Sequence, residues 1–111
     1  MITKELIKIL DNPNDRLIAV DLDWTLCEWE FWGDEDCRPI YDRIESVNKW
    51  YKKWAHIIIY TARDPKYFEK TQNWLVNNWV MHHWIAMMRK IWADIYIDDK
   101  AINSDDLFSI F

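Results

Sequence analysis

Three apolar runs in this chain end in acidic or polar residues, and segments of helical spacing separate them. Leu17-Ile18-Ala19-Val20 leads into Asp21-Leu22-Asp23-Trp24-Thr25-Leu26, Ile57-Ile58-Ile59-Tyr60 into Thr61-Ala62-Arg63-Asp64, and Ala93-Asp94-Ile95-Tyr96-Ile97 into Asp98-Asp99-Lys100. Near-continuous apolar runs suit strands covered on both faces, as in parallel sheets. Strands alternating with helices imply parallel pairing through right-handed crossovers, with helices on both sides of the sheet. Ligands of such sheets bind in the crevice beyond the strands' C-terminal ends, so the three polar ends point to one site. Asp21 and Asp23 would face opposite ways on a regular strand. Where the strand gives way to a loop, both can turn towards that crevice, one to attack or bind metal and the other to handle a proton.

The rest of the chain fits this alternation. Residues 3–10 have the spacing of a short amphipathic helix that Thr3 can cap, and Asp11-Asn12-Pro13-Asn14-Asp15 is a strong turn signal. The first strand spans about 17–22. Residues 27–39 read as a loop. Positions 44, 47, 50, 51 and 54 have helical spacing over 41–54, and residues 56–61 form the second strand. Asp64-Pro65 starts the next helix, with Pro65 in its first turn and Tyr67, Phe68, Thr71, Trp74 and Leu75 on one face. Asn77-Asn78 ends it. Residues 80–88 are ambiguous, best read as a third strand followed by a loop, and 94–97 form the fourth. Residues 101–111 are expected to pack as a turn and short helix, with caps available in Asn103-Ser104-Asp105-Asp106. The whole chain, 1–111, reads as one three-layer Rossmann-like α/β domain with a small parallel sheet in order 4-1-2-3.

At 111 residues, half of them hydrophobic and 30% charged, the chain is neither disordered nor membranous. No apolar run approaches the ~20 residues of a membrane span. Met1-Ile2-Thr3-Lys4-Glu5-Leu6 has no secretory pattern, so the cytoplasm is the expected location. A net charge of −5 argues against an extended nucleic-acid surface, although local cations could still hold one phosphate. Cys27 and Cys37 flank the acidic, aromatic loop and are expected to be reduced in an intracellular protein. His56, His82 and His83 add no recognisable zinc pattern, and His82-His83 suits a strand edge or loop.

Asp21-Leu22-Asp23-Trp24-Thr25, Thr61-Ala62-Arg63, Lys90 and Asp98-Asp99, in that order, resemble the motifs of the haloacid dehalogenase-like phosphohydrolase superfamily. The likeness spans about residues 16–103 and is greatest to small, cap-poor members from phages and capsular-polysaccharide loci. The string from Ala93 to Asn103 is especially typical of them. The resemblance implies Mg²⁺-dependent phosphomonoester hydrolysis. Asp21 would attack phosphorus and form an aspartyl-phosphate, and Asp23 would serve as general acid and base. Mg²⁺ would be held by Asp21, the backbone carbonyl of Asp23 and the Asp98-Asp99 pair. Thr61 would hydrogen-bond a phosphoryl oxygen, and Lys90 would offset charge.

Each residue also has a plainer reading. Asp98-Asp99-Lys100 could cap a helix, Thr61 could be an ordinary strand-end threonine, and Arg63 and Asp64 could pair or cap the next helix. Asp94 and Lys100 read as structural. Trp24 and the Lys90-Ile91-Trp92 context depart from the common family pattern without removing a reacting group. Residues 27–39 are too few for a cap domain. An open site suits a bulky substrate (a nucleic-acid end, a glycan phosphate or a phosphoprotein) or a partner that closes over it. The acidic run at 34–36 favours instead a small phosphorylated substrate: a sugar phosphate, a nucleotide or a nucleic-acid end phosphate. Trp29, Phe31 and Trp32 could stack on a base or sugar, or simply cover the core. Asp34-Glu35-Asp36 disfavours polyanions. The competing expectation is a non-catalytic phosphate- or partner-binding domain.

The chain has nine tryptophans and one glycine, Gly33. Trp24, Trp54, Trp79 and Trp92 stand where relatives often carry glycine: after the paired acids, at two helix ends and before the fourth strand. Helix ends and tight turns favour glycine on backbone grounds too. Two accounts are open: a tryptophan-rich natural protein, or UGA codons read as glycine in the source and translated here as tryptophan.

Overall fold

The computed structural model describes residues 4–29, 37–89 and 91–98. Helix α1 (Lys4–Asp11) precedes β1 (Leu17–Asp21), and a ribbon of β2 (Cys27–Glu28) and β3 (Arg38–Pro39) follows. Then come α2 (Tyr41–Lys52), β4 (His56–Thr61), a 3-10 turn (Pro65–Tyr67) running into α3 (Phe68–Asn77), β5 (Trp84–Met87) and β6 (Ile95–Ile97). The main sheet is wholly parallel, in the order β5-β4-β1-β6. Among the described residues no helix is long and apolar enough to cross a membrane.

Parallel register explains the apolar runs. It aligns Ile18 with Ile57 and Ile95, and Val20 with Ile59 and Ile97. These six side chains are buried in one cluster with Leu10 of α1, Ile44, Val47 and Trp50 of α2, and Trp74 and Leu75 of α3. Full burial of a side chain of this size contributes roughly 1.5–3 kcal/mol, so the strand ends are held by the best-packed part of the molecule. Asp94 has the structural part expected of it. Its carboxylate accepts from the Leu17 amide at 2.7 Å while its own amide donates to the Leu17 carbonyl at 2.8 Å, pinning the entry of β6 to that of β1.

Several expectations need correcting. Part of the 27–39 loop is paired: Cys27 lies opposite Pro39 and Glu28 opposite Arg38 in an antiparallel ribbon. That pairing brings Cys27 and Cys37 within 5.5 Å at Cα, and they form a disulfide instead of remaining reduced. Trp54 does not share the buried face of α2. The helix stops at Lys52, and Trp54 lies beyond its end with φ 69°, exposed. Tyr67 and Phe68 are likewise exposed, whereas Thr71, Trp74 and Leu75 fill the inner face of α3. Asp64 is a cap, its Oδ1 accepting from the Lys66 amide at 2.9 Å, with Pro65 next to it as expected. The expected tail element at 101–111 lies outside the described residues.

His82 and His83 occupy the approach to β5. His83 extends the sheet with its ring, Nδ1 accepting from the Ile57 amide at 3.0 Å. That bond requires an unprotonated Nδ1. Burial, followed by the neighbouring His56 and His82, keeps the His83 pKa below the usual imidazole value.

Candidate active site at the ends of β1, β4 and β6

Asp21 is the last residue of β1, and its register partner across the sheet is Tyr60 on β4. Asp98 follows directly on β6, β1's other neighbour. Asp21, Tyr60, Thr61, Ala62, Met88, Arg89 and Asp98 line one crevice of about 360 Å³ at the C-terminal edge of the sheet. Three segments far apart in sequence thus meet where a parallel sheet offers a binding site. The Tyr60 hydroxyl donates to Asp98 Oδ2 at 2.9 Å, fixing that carboxylate. Lys90 and Asp99 lie outside the described residues, and Arg89 is the cation that lines the crevice among those described.

Asp23 is placed differently. After Asp21 the chain turns tightly: the Leu26 amide donates to the Leu22 carbonyl at 2.9 Å and the Trp24 amide to the Cys27 carbonyl at 2.8 Å. Arg43 of α2 clamps the turn by donating to the Thr25 carbonyl at 3.1 Å. The Asp23 carboxylate then accepts from Arg63 Nη2 at 2.6 Å, Arg63 Nε at 3.1 Å, Trp29 Nε1 at 3.0 Å and Thr61 Oγ1 at 3.1 Å. Two parallel guanidinium bonds to one carboxylate are a strong, directional form of pairing. Arg63 is itself held by Thr71 Oγ1 at 3.1 Å and by Cys37 Sγ at 3.4 Å, and its guanidinium lies 5.5 Å from the Trp29 ring centroid.

Burial alone would raise the pKa of Asp23. The Arg63 hydrogen bonds and charge, with Trp29 and Thr61, outweigh it and leave the carboxyl below its ordinary value. The sign for stability follows. A depressed folded pKa gives stabilisation that is complete above the unfolded aspartate value of about 3.9 and is lost as pH falls through the folded value. Urea unfolding carried from neutral pH into acid should show a steeper loss in the parent than in Arg63→Met. Equal slopes would mean that the pair contributes nothing to the acid limb.

Sequence reasoning gave Arg63 either a pairing or a capping role, and the structure gives it the pairing with Asp23. The contacts of Trp29 and the disulfide to this pair were not foreseen. The Thr61 hydroxyl, expected to face phosphate, donates to Asp23 and accepts from the Arg63 amide at 3.2 Å. The Tyr60–Asp98 hydrogen bond carried no spacing signal, because it joins the ends of two strands that β1 separates. Trp29 could not be found from spacing either, because the β2–β3 ribbon alone brings it back over Asp23.

Asp21 and Asp98 both line this crevice, and carboxylate oxygens are hard donors of the kind Mg²⁺ takes. The one close group of potential ligand atoms among the described residues is Asp23, Cys27 and Cys37. Its sulfurs are joined in the disulfide and offer no thiolate, so that group is not a zinc site.

No family model matches the chain, and no curated protein matches it. Solved structures do. A protein of Vibrio cholerae is 26% identical, with a TM-score of 0.63 over 85% of this chain and 88% of that one. A conserved protein of Bacteroides thetaiotaomicron has a TM-score of 0.68 at 18% identity, over 87% and 89% of the two chains. The fold is Rossmann-like α/β. A chain of a Pnkp1/Rnl/Hen1 complex shares it with a TM-score of 0.61 at 17% identity, over 86% of this chain but 34% of that much longer one.

Proposed function

We propose that this chain is a haloacid dehalogenase-like phosphohydrolase that cleaves small phosphomonoesters through an aspartyl-phosphate on Asp21. The observation that carries the reading is the shared crevice of Asp21, Thr61 and Asp98, each at the end of a different strand, with β1 paired to both β4 and β6. An Asp21 carboxylate oxygen attacks phosphorus as the ester P–O bond breaks. Asp23 gives its proton to the departing oxygen, then takes one from the water that releases phosphate and restores Asp21. Phosphoryl transfer rests mainly on positioning and charge, which suits a site built from a rigid sheet edge. Mg²⁺, held by Asp21, Asp98, Asp99 and the Asp23 carbonyl, would supply the charge neutralisation that lets a carboxylate approach a phosphate. Lys90 and Arg89 would add to that neutralisation from the protein side.

Arg63 favours the ionised form of Asp23, so at neutral pH the base role is better served than the acid role. Leaving groups that need no proton should therefore turn over best. The test is phosphate release at neutral pH from an aryl and an alkyl phosphate, with Mg²⁺ and with a chelator. Mg²⁺-dependent release that is faster from the aryl ester is expected. Release that survives chelation would overturn the mechanism. Binding of inorganic phosphate with no turnover of either ester would favour the rival reading, a phosphate-binding domain that keeps the site without using it.

A further inference from the structure

Five residues with side chains adopt a positive φ among the described residues, and three of them are tryptophans: Trp24 at 68°, Trp54 at 69° and Trp79 at 59°. A Cβ makes this left-handed region unfavourable, and glycine alone enters it freely.

Two of the three sites are complete glycine-type helix stops. Beyond α2, the Ala55 amide donates to the Trp50 carbonyl at 3.1 Å and the Trp54 amide to the Tyr51 carbonyl at 3.0 Å. Beyond α3, the Val80 amide donates to the Leu75 carbonyl at 2.9 Å and the Trp79 amide to the Val76 carbonyl at 3.1 Å. This pair of bonds defines the Schellman motif, whose left-handed residue is usually glycine, and which is sealed by an apolar contact between the residues flanking it. The residues that would form these seals, Trp50 with Ala55 and Leu75 with Val80, are all buried in the core cluster. The third site is the turn directly after Asp23.

The three indoles gain little from these places. Trp54 is 76% exposed, Trp79 82% and Trp24 44%. Two other tryptophans behave as the residue should. Trp50 and Trp74 are buried in the core, Trp74 Nε1 donates to the Cys37 carbonyl at 2.9 Å, and neither has a positive φ. An accidental surplus of tryptophan would not collect at left-handed positions.

We infer that Trp24, Trp54 and Trp79 are glycines in the protein as its source makes it, encoded by UGA codons that the source reads as glycine and that are rendered here as tryptophan. UGA differs from the tryptophan codon UGG only in its third base, and genetic codes differ in what they assign to it. One reassignment accounts for the excess of tryptophan, the near absence of glycine and the backbone placement together. Trp92, which shares the exposure but has no positive φ, is outside the assignment.

The gene's nucleotide sequence is the direct test. UGA at positions 24, 54 and 79 with UGG at 50 and 74 is the expected pattern. UGG at any of the first three overturns the inference, as does UGA at 50 or 74, where glycine would hollow the core. Thermal unfolding gives a second readout, because alanine removes the indole but keeps the Cβ. Trp54→Gly and Trp79→Gly should each melt about 4 °C or more above Trp54→Ala and Trp79→Ala. Equal melting of the glycine and alanine variants would show that the backbone makes no demand for glycine and would overturn the argument.

Discussion

Asp21→Asn is expected to lower phosphate release from an aryl phosphate by at least about a thousandfold, as loss of a covalent nucleophile does elsewhere. The amide is nearly isosteric, so β1 and the packing of Ile18 and Val20 behind it should stay intact and the variant should melt like the parent. It keeps an oxygen but loses the charge that attacks phosphorus. Asp98 is hydrogen-bonded to Tyr60, and Asp23, the proposed proton carrier, to Arg63, Trp29 and Thr61, so neither is expected to replace Asp21 as nucleophile. Retention of a tenth or more of parental turnover by a folded Asp21→Asn protein would refute the aspartyl-phosphate route.

Arg63→Met should destabilise the fold by about 3–5 kcal/mol, the range for removing one member of a buried ion pair. The Arg63 and Asp23 side chains are only 15% and 22% exposed, so water can replace little of what is lost. The Asp23 carboxylate would keep Trp29 and Thr61 as donors but lose its countercharge. Arg63 also ties α3, through Thr71, to the ribbon, through Cys37, and methionine can do neither. A drop in melting temperature of about 8 °C or more is the expected reading. Asp23→Asn combined with Arg63→Met should recover part of it, because no charge is then stranded. If Arg63→Met melts within about 2 °C of the parent, the pair is not a structural element.

The two substitutions separate what the sequence made legible from what it did not. The strands were readable because each is a short apolar run closed by polar residues, and period and composition alone mark such runs. The helices were readable from their spacing and from the turn residues between them, with Ile44, Val47, Trp50, Trp74 and Leu75 buried as that spacing requires. Trp54 broke the pattern because a helix end is decided by hydrogen bonds to its last carbonyls, and a periodic count cannot see where they stop.

By itself, then, the sequence determined that strands and helices alternate and that Asp21, Thr61 and Asp98 end their strands. It also flagged Trp24, Trp54, Trp79 and Trp92 as standing where glycine is usual, and the backbone bears this out at the first three but not at Trp92. Tertiary structure alone decided that Cys27 and Cys37 meet, because only the two-residue ribbon brings their Cα atoms within bonding range. It alone decided that Asp23 turns away from regular strand geometry into Arg63, forty residues on in the chain. Local propensity acts over a few residues, whereas a disulfide and a guanidinium–carboxylate pair join groups that only the packed sheet, loop and helix bring together. Their contribution is a property of that packing, and no stretch of the sequence carries it alone.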